Sequence, residues 1–123
     1  MVSKPAACIG CPLYDNGQGF VPDEVQAGQL VYVFAQNPGE QEEHDGKPMV
    51  GATGKVNDET YIPLTGLERG QDIGIGNSIR CRAVIAGKRS NLLPPAKILK
   101  AAQAHCNAAY LKIPASVKLV VAH

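Results

Sequence analysis

Four cysteines are the residues of this sequence best suited to chemistry. Cys8-Ile9-Gly10-Cys11 is a C-x-x-C pair followed by Pro12. Two thiolates at that spacing can reach one metal centre from a single turn, a pattern shared by zinc sites and redox motifs. Cys81 and Cys106 stand far along the chain without local partners, so a site using all four closes over long range. Four thiolates satisfy either a tetrahedral zinc or a four-iron cluster. Four unrelated buried thiols are the plain alternative. The stretch Met1 to Cys8 lacks the long apolar core of a secretory signal. An intracellular, reducing setting is therefore expected, and structural disulfides are not. A thioredoxin-like role fits poorly, because that motif opens a helix after a strand, whereas this pair precedes the first apolar run.

The elements that must position these thiols follow from the pattern. Residues Cys8 to Asp23 are rich in Gly, Pro and Asn and read as an ordered loop. The apolar run Leu30 to Ala35 predicts a strand buried on both faces. It ends in the turn signal Gln36-Asn37-Pro38-Gly39. Gly54 to Leu67 predicts a helix broken or kinked at Pro63. Ile73 to Ile79 predicts a second strand, whose glycines mark a close backbone approach. Pro95 to Ile113 predicts a helix bounded by prolines. Val117 to Ala122 predicts a third buried strand. Strands separated by helical stretches imply βαβ units and a mostly parallel sheet in one domain, residues 1–123. Such a sheet ordinarily continues with another helix, so a sequence stopping at His123 reads as a fragment or the product of a shortened gene.

Composition narrows the function classes. The chain is 45% hydrophobic and 19% charged, enough for a core and unlike a disordered segment. It carries no run of about 18 apolar residues, so no membrane helix is expected. The net charge of +1 gives no bulk attraction to nucleic acid, and any such binding must use a local basic patch.

A series of short motifs then points to one family. In order they are Cys8-Ile9-Gly10-Cys11-Pro12-Leu13, Gly19-Phe20-Val21-Pro22, and Asn37-Pro38-Gly39-Glu40-Gln41-Glu42-Glu43. Then come Gly46-Lys47-Pro48-Met49-Val50-Gly51, Gly54-Lys55, Asn77-Ser78-Ile79-Arg80-Cys81-Arg82, and Cys106. Together they resemble the iron–sulfur uracil-DNA glycosylases over nearly the whole chain. The resemblance implies a three-layer α/β/α sandwich with a short parallel sheet, here ending after the third strand. It implies a [4Fe–4S] cluster on Cys8, Cys11, Cys81 and Cys106, with zinc as the lesser alternative. The implied activity is hydrolysis of the N-glycosidic bond of uracil in DNA, with the base flipped into a pocket.

The resemblance also assigns site residues. The family's first motif falls on Ala35-Gln36-Asn37-Pro38-Gly39, where the usual iron–sulfur version has Gly-Glu-Ala-Pro-Gly. Asn37 instead resembles the branches whose Asn positions the attacking water, and Gln36 lies beside it against the substrate. Asn does not titrate near neutral pH and is no true base, so Glu42 is the candidate carboxylate. The same residues also fit a plain turn and a solvated charge pair. Asn77 falls where the family reads the uracil edge, and its amide suits an imide edge. A strand-end Asn bonding its own backbone is the alternative. Met49 stands where the family has a Phe stacked on uracil, and it fits a core position equally well. Lys47, Arg80, Arg82, Lys88 and Arg89 form the expected basic rim for DNA. The loop Ala86 to Asn91 faintly resembles an Arg-rich loop of a branch that captures uracil-DNA covalently through a His. No His follows Lys88-Arg89 here, so a phosphate-contacting or solvated loop is expected instead. His44 and His105 have no family counterpart and read as surface residues. His123 sits at the end of the third strand and is not the family's late catalytic His, whose motif has no match in the chain.

Three functions compete on this reading. One is a uracil-DNA glycosylase. Another is a catalytically weak or inactive iron–sulfur module of the same fold that binds DNA or a partner. The last is a zinc-stapled domain with no DNA role, which the motif order disfavours. The expected partner is uracil-containing DNA, met by a monomer or by a domain fused to, or associated with, a replication or repair protein. No membrane partner is expected.

Overall fold

The computed structural model describes residues 4–15, 17–85, 88–89 and 93–122. After a 3-10 turn (Ala6–Cys8) come β1 (Gly17–Gln18), β2 (Val31–Ala35), α1 (Glu40–Asp45) and α2 (Ala52–Val56). A π turn (Asn57–Tyr61) leads into α3 (Ile62–Thr65). Then follow β3 (Ile73–Asn77), β4 (Arg82–Ile85), β5 (Lys88–Arg89), α4 (Ala96–Tyr110) and β6 (Leu119–Ala122).

The fold is α/β, built on a three-stranded parallel sheet in the order β3-β2-β6. In register, Val31 faces Ile73 and Ala35 faces Asn77 on one side of β2, while Phe34 faces Ala122 on the other. The strands β1, β4 and β5 pair antiparallel as a small second sheet. Alternation along β2 divides the packing. Val33, with Ile73 and Ile75 of β3, packs on Met49 and Ile62. Full burial of such a side chain is worth about 1.5–3 kcal/mol, so this cluster pins the segment carrying Met49 to one face of the sheet. Tyr32, fully buried, occupies the opposite face and donates to Asp23 Oδ2 (3.2 Å). A separate cluster of Leu13, Ile79, Cys81 and Ala102 fastens α4 to the cysteine region.

Three differences from the sequence reading have physical causes. The helical stretch runs from Ala52 to Thr65 without a break at Pro63. A π turn just before α3 shifts the hydrogen-bond register, and Pro63 falls in the first turn of α3, where its missing N–H is harmless. The strand β3 stops at Asn77 instead of Ile79, because Ser78 and Ile79 turn their N–H groups to Ala35 O and Gln36 O (2.9 and 3.0 Å). The strand β6 is exposed along its whole length, not buried. It is an edge strand, and among the described residues nothing covers its Leu119 (56% exposed) or Val120 (52%). The described residues among 8–23 form the expected loop apart from the 3-10 turn and two-residue β1. Among the described residues no helix is long and apolar enough to cross a membrane.

Candidate functional site

In an open parallel sheet, ligands bind beyond the carboxyl ends of the strands. Here those ends carry Ala35 closing β2, Gln36 and Asn37 just after it, and Asn77 closing β3. Ser78 ties the two ends together, its Oγ donating to Gln36 O (2.9 Å) and accepting from Gln103 Nε2 (2.9 Å). A cleft of about 340 Å³ opens there, lined among others by Gln36, Asn37, Glu42, Met49, Gly51 and Asn77. Asn77 is 2% exposed, and its side-chain nitrogen Nδ2 has no hydrogen-bond partner. An unsatisfied buried amide costs roughly 1–3 kcal/mol, so this donor stands ready for a ligand in the cleft.

The wall opposite Asn77 is braced from two sides. Glu42 Oε1 accepts from Gly39 N (2.8 Å), while Oε2 accepts from Gly51 N (2.6 Å) and Val50 N (3.1 Å). From the other side, Arg69 donates to Met49 O (2.8 Å) and to Pro48 O, and pairs with Asp58 and Glu24. Between these braces Met49 is held at φ 48°, a left-handed conformation that a non-glycine residue rarely adopts. Its side chain belongs to the apolar core and also lines the cleft. The chain can pass so close only because residue 54 is glycine: a Cβ there would lie 1.9 Å from Met49 O.

The four cysteines converge as well. Cys8, Cys11, Cys81 and Cys106 all line a second cavity, closed by Phe20, Arg80 and Tyr110. Cys8 and Cys11 come from the N-terminal turn, Cys81 from the segment after β3, and Cys106 from α4. Burial pushes the Cys81 thiol up to about 12, with neighbouring thiols adding to the effect. Burial also raises Cys106, against the opposing pull of Arg80. Thiols raised in this way favour the protonated form unless a bound metal compensates the thiolate charge. Among the described residues, no three His, Cys, Asp or Glu donors gather as one ion requires.

The structure thus brings Gln36, Asn37, Glu42, Met49 and Asn77 to one cleft and the four cysteines to another cavity. Of the expected basic rim, Arg80 turns inward while Lys47 lies at the surface. Arg80 is 1% exposed and ion-paired with Asp23 (2.8 Å), so its guanidinium is closed to phosphate. Arg82 is 13% exposed and lies 4.0 Å from Glu43. Lys47 is exposed. Lys88 and Arg89 pair with Ile85 and Val84 as a backbone strand. The rest of that loop, residues 86–87 and 90–91, and His123 lie outside the described residues. Both oxygens of Glu42 accept backbone N–H groups, so this carboxylate braces the cleft wall. His44 is exposed beside Asp45 (2.8 Å), and His105 meets Ala7 O (2.8 Å) at the rim of the cysteine cavity. Sequence reasoning missed Arg69, Ser78 and Asp23. Only the adjacency of Arg80 to Cys81 hinted at the ion pair behind the cysteines.

The chain is distantly and partially homologous to type-4 uracil-DNA glycosylases. It is 34% identical over 76 residues to the enzyme of Sulfurisphaera tokodaii, covering 62% of this chain and 34% of that protein. It is 36% identical over 75 residues to that of Pyrobaculum aerophilum, covering 61% and 37%. For Archaeoglobus fulgidus the match is 30% over 82 residues, covering 67% and 40%. The matched region therefore spans little more than a third of these relatives. No protein-family profile matches the chain.

Proposed function

We propose that this chain is a uracil-DNA glycosylase unit acting inside the cell. It hydrolyses the N-glycosidic bond of uracil flipped out of DNA, and its four cysteines hold a [4Fe–4S] cluster. The observation that carries this reading is Asn77, a buried amide with an unpartnered Nδ2, which lines one cleft together with Asn37. In the proposed site Asn77 reads the imide edge of uracil, offering both donor and acceptor. Met49 packs flat against the base, and Gln36 borders it. Asn37 holds the attacking water at the sugar carbon. The cluster, on Cys8, Cys11, Cys81 and Cys106, supplies four metal–thiolate bonds that staple the N-terminal turn, the segment after β3 and α4 together. DNA phosphates meet Lys47 and the Lys88-Arg89 strand.

One observation favours a weaker activity as the second reading. The carboxylate of Glu42 is fully engaged, so water activation falls to Asn37, whose amide cannot take a proton. Loss of a properly placed base typically costs about 10²–10⁴ in rate.

The test incubates uracil-containing single- and double-stranded oligonucleotides with the chain and cleaves abasic sites with alkali. Cutting of the single strand, reduced about 10²-fold or more by Asn37→Ala and by Asn77→Ala, is the expected result. Equal cutting by the wild type and both variants would remove these residues from the site. Tight uracil-dependent binding without cutting would select the second reading.

A further inference from the structure

The cysteine cavity contains a charge that four thiolate ligands alone do not account for. Arg80 is almost wholly buried, and Asp23 beside it is 6% exposed. Two guanidinium nitrogens are taken by the carboxylate: Nε donates to Oδ1 and Nη2 to Oδ2, both at 2.8 Å. The third, Nη1, turns away to Cys106 Sγ (3.1 Å), Cys106 O (3.3 Å) and Asn107 Oδ1 (3.3 Å). The guanidinium also lies 5.9 Å from the Tyr110 ring centroid, and the Tyr110 hydroxyl sits 2.9 Å from Cys8 Sγ. Two of the four sulfurs thus meet a polar group from outside the ligand set, and one of those groups is a permanent cation.

A buried ion pair is worth little for stability, since apolar residues of similar size often serve as well. This one is anchored from several sides. Asp23 also accepts from Tyr32 Oη (3.2 Å). Gly76 leaves room for the pair: a Cβ there would lie 2.1 Å from Tyr32 Oη and 2.5 Å from Asp23. The anchoring directs one N–H at one sulfur. Donors and positive charge near a ligating sulfur withdraw electron density from it and favour the more reduced state of the centre.

We propose that Arg80 is a tuning residue for the centre held by Cys8, Cys11, Cys81 and Cys106. Its N–H···S bond to Cys106 raises the reduction potential, and Asp23 acts as the opposing charge that limits the rise. The inference rests on the reading of the four cysteines as cluster ligands.

Two substitutions should move the potential in opposite directions. Arg80→Met removes the cation and the sulfur donor, so the potential shifts to more negative values. Asp23→Asn removes the anion while Cys106 O and Asn107 Oδ1 still hold the guanidinium, so the potential shifts to more positive values. Arg80→Lys restores the charge without the fork geometry and should fall between Arg80→Met and the wild type. The measurement is voltammetry on the full chain reconstituted with iron and sulfide, alongside iron and sulfide content. If Arg80→Met does not load, Asp23→Asn and Arg80→Lys still give the expected positive and negative shifts. A merely structural pair would give shifts of one sign, or none, in variants that retain the cluster, and either result overturns the proposal. A wild-type chain that takes up no iron and sulfide overturns the cluster reading and the tuning role with it.

Discussion

Replacing Glu42 by Ala tests whether this carboxylate braces the cleft or performs chemistry. Three backbone N–H groups, of Gly39, Val50 and Gly51, lose their acceptor. Hydrogen bonds to charged groups are worth about 1.5–3 kcal/mol each, so three independent bonds would total at least ~4.5 kcal/mol. Two corrections reduce that figure. Glu42 is only half-buried, so water can reach part of the freed backbone. The three bonds also share one carboxylate and one desolvation cost. A loss of about 3 kcal/mol remains, including the ~0.3–1 kcal/mol due to an acidic group in the first turn of α1. At roughly 4 °C per kcal/mol for a domain of this size, the melting temperature should fall by about 12 °C. Glu42→Gln should fall by less, since one oxygen still accepts while its NH₂ faces the amides it replaces. Thermal unfolding followed by circular dichroism measures both. A Glu42→Ala protein that melts with the wild type would refute the brace. An activity lost in Glu42→Gln at unchanged melting temperature would restore Glu42 as the base.

Other expectations follow from the same geometry. Gly54→Ala places a Cβ against Met49 O, and overpacking of this kind costs about 1–3 kcal/mol; a lower urea midpoint checks it, and an unchanged one contradicts it. Neutralising Lys88 and Arg89 together should flatten the salt dependence of single-strand binding by about 1.4 in log–log slope, and an unchanged slope excludes them as phosphate contacts. In the metal-free chain, the Cys81 proton is held more tightly in the folded state, with burial raising its pKa from 9.0 to about 12. Stability from this thiol is therefore complete below about pH 9 and lost as the pH rises towards 12, because the unfolded chain releases the proton first. Urea midpoints that stay flat across that range would contradict this.

The sequence by itself determined the parts of this protein that depend on local pattern. The apolar runs at β2 and β3 and the proline-bounded α4 are legible because burial and capping impose a period and an end on the residues themselves. The alternation of strands and helices gave the α/β class, and the motif order gave the resemblance that named Gln36, Asn37, Met49, Asn77 and the four cysteines. Tertiary structure decided everything that depends on a partner far away in the chain. That Arg80 meets an internal carboxylate was decided by Asp23, 57 positions away from it. A charge in a sequence carries no sign of its counter-charge. Glu42 read as a catalytic candidate for the same reason, since two of its three acceptor bonds exist only once residues 50 and 51 fold back onto α1. The exposure of β6 was equally illegible: Leu119-Val120-Val121-Ala122 has the composition of a buried strand. Burial is a property of what packs against a strand, and composition supplies only the tendency to seek it.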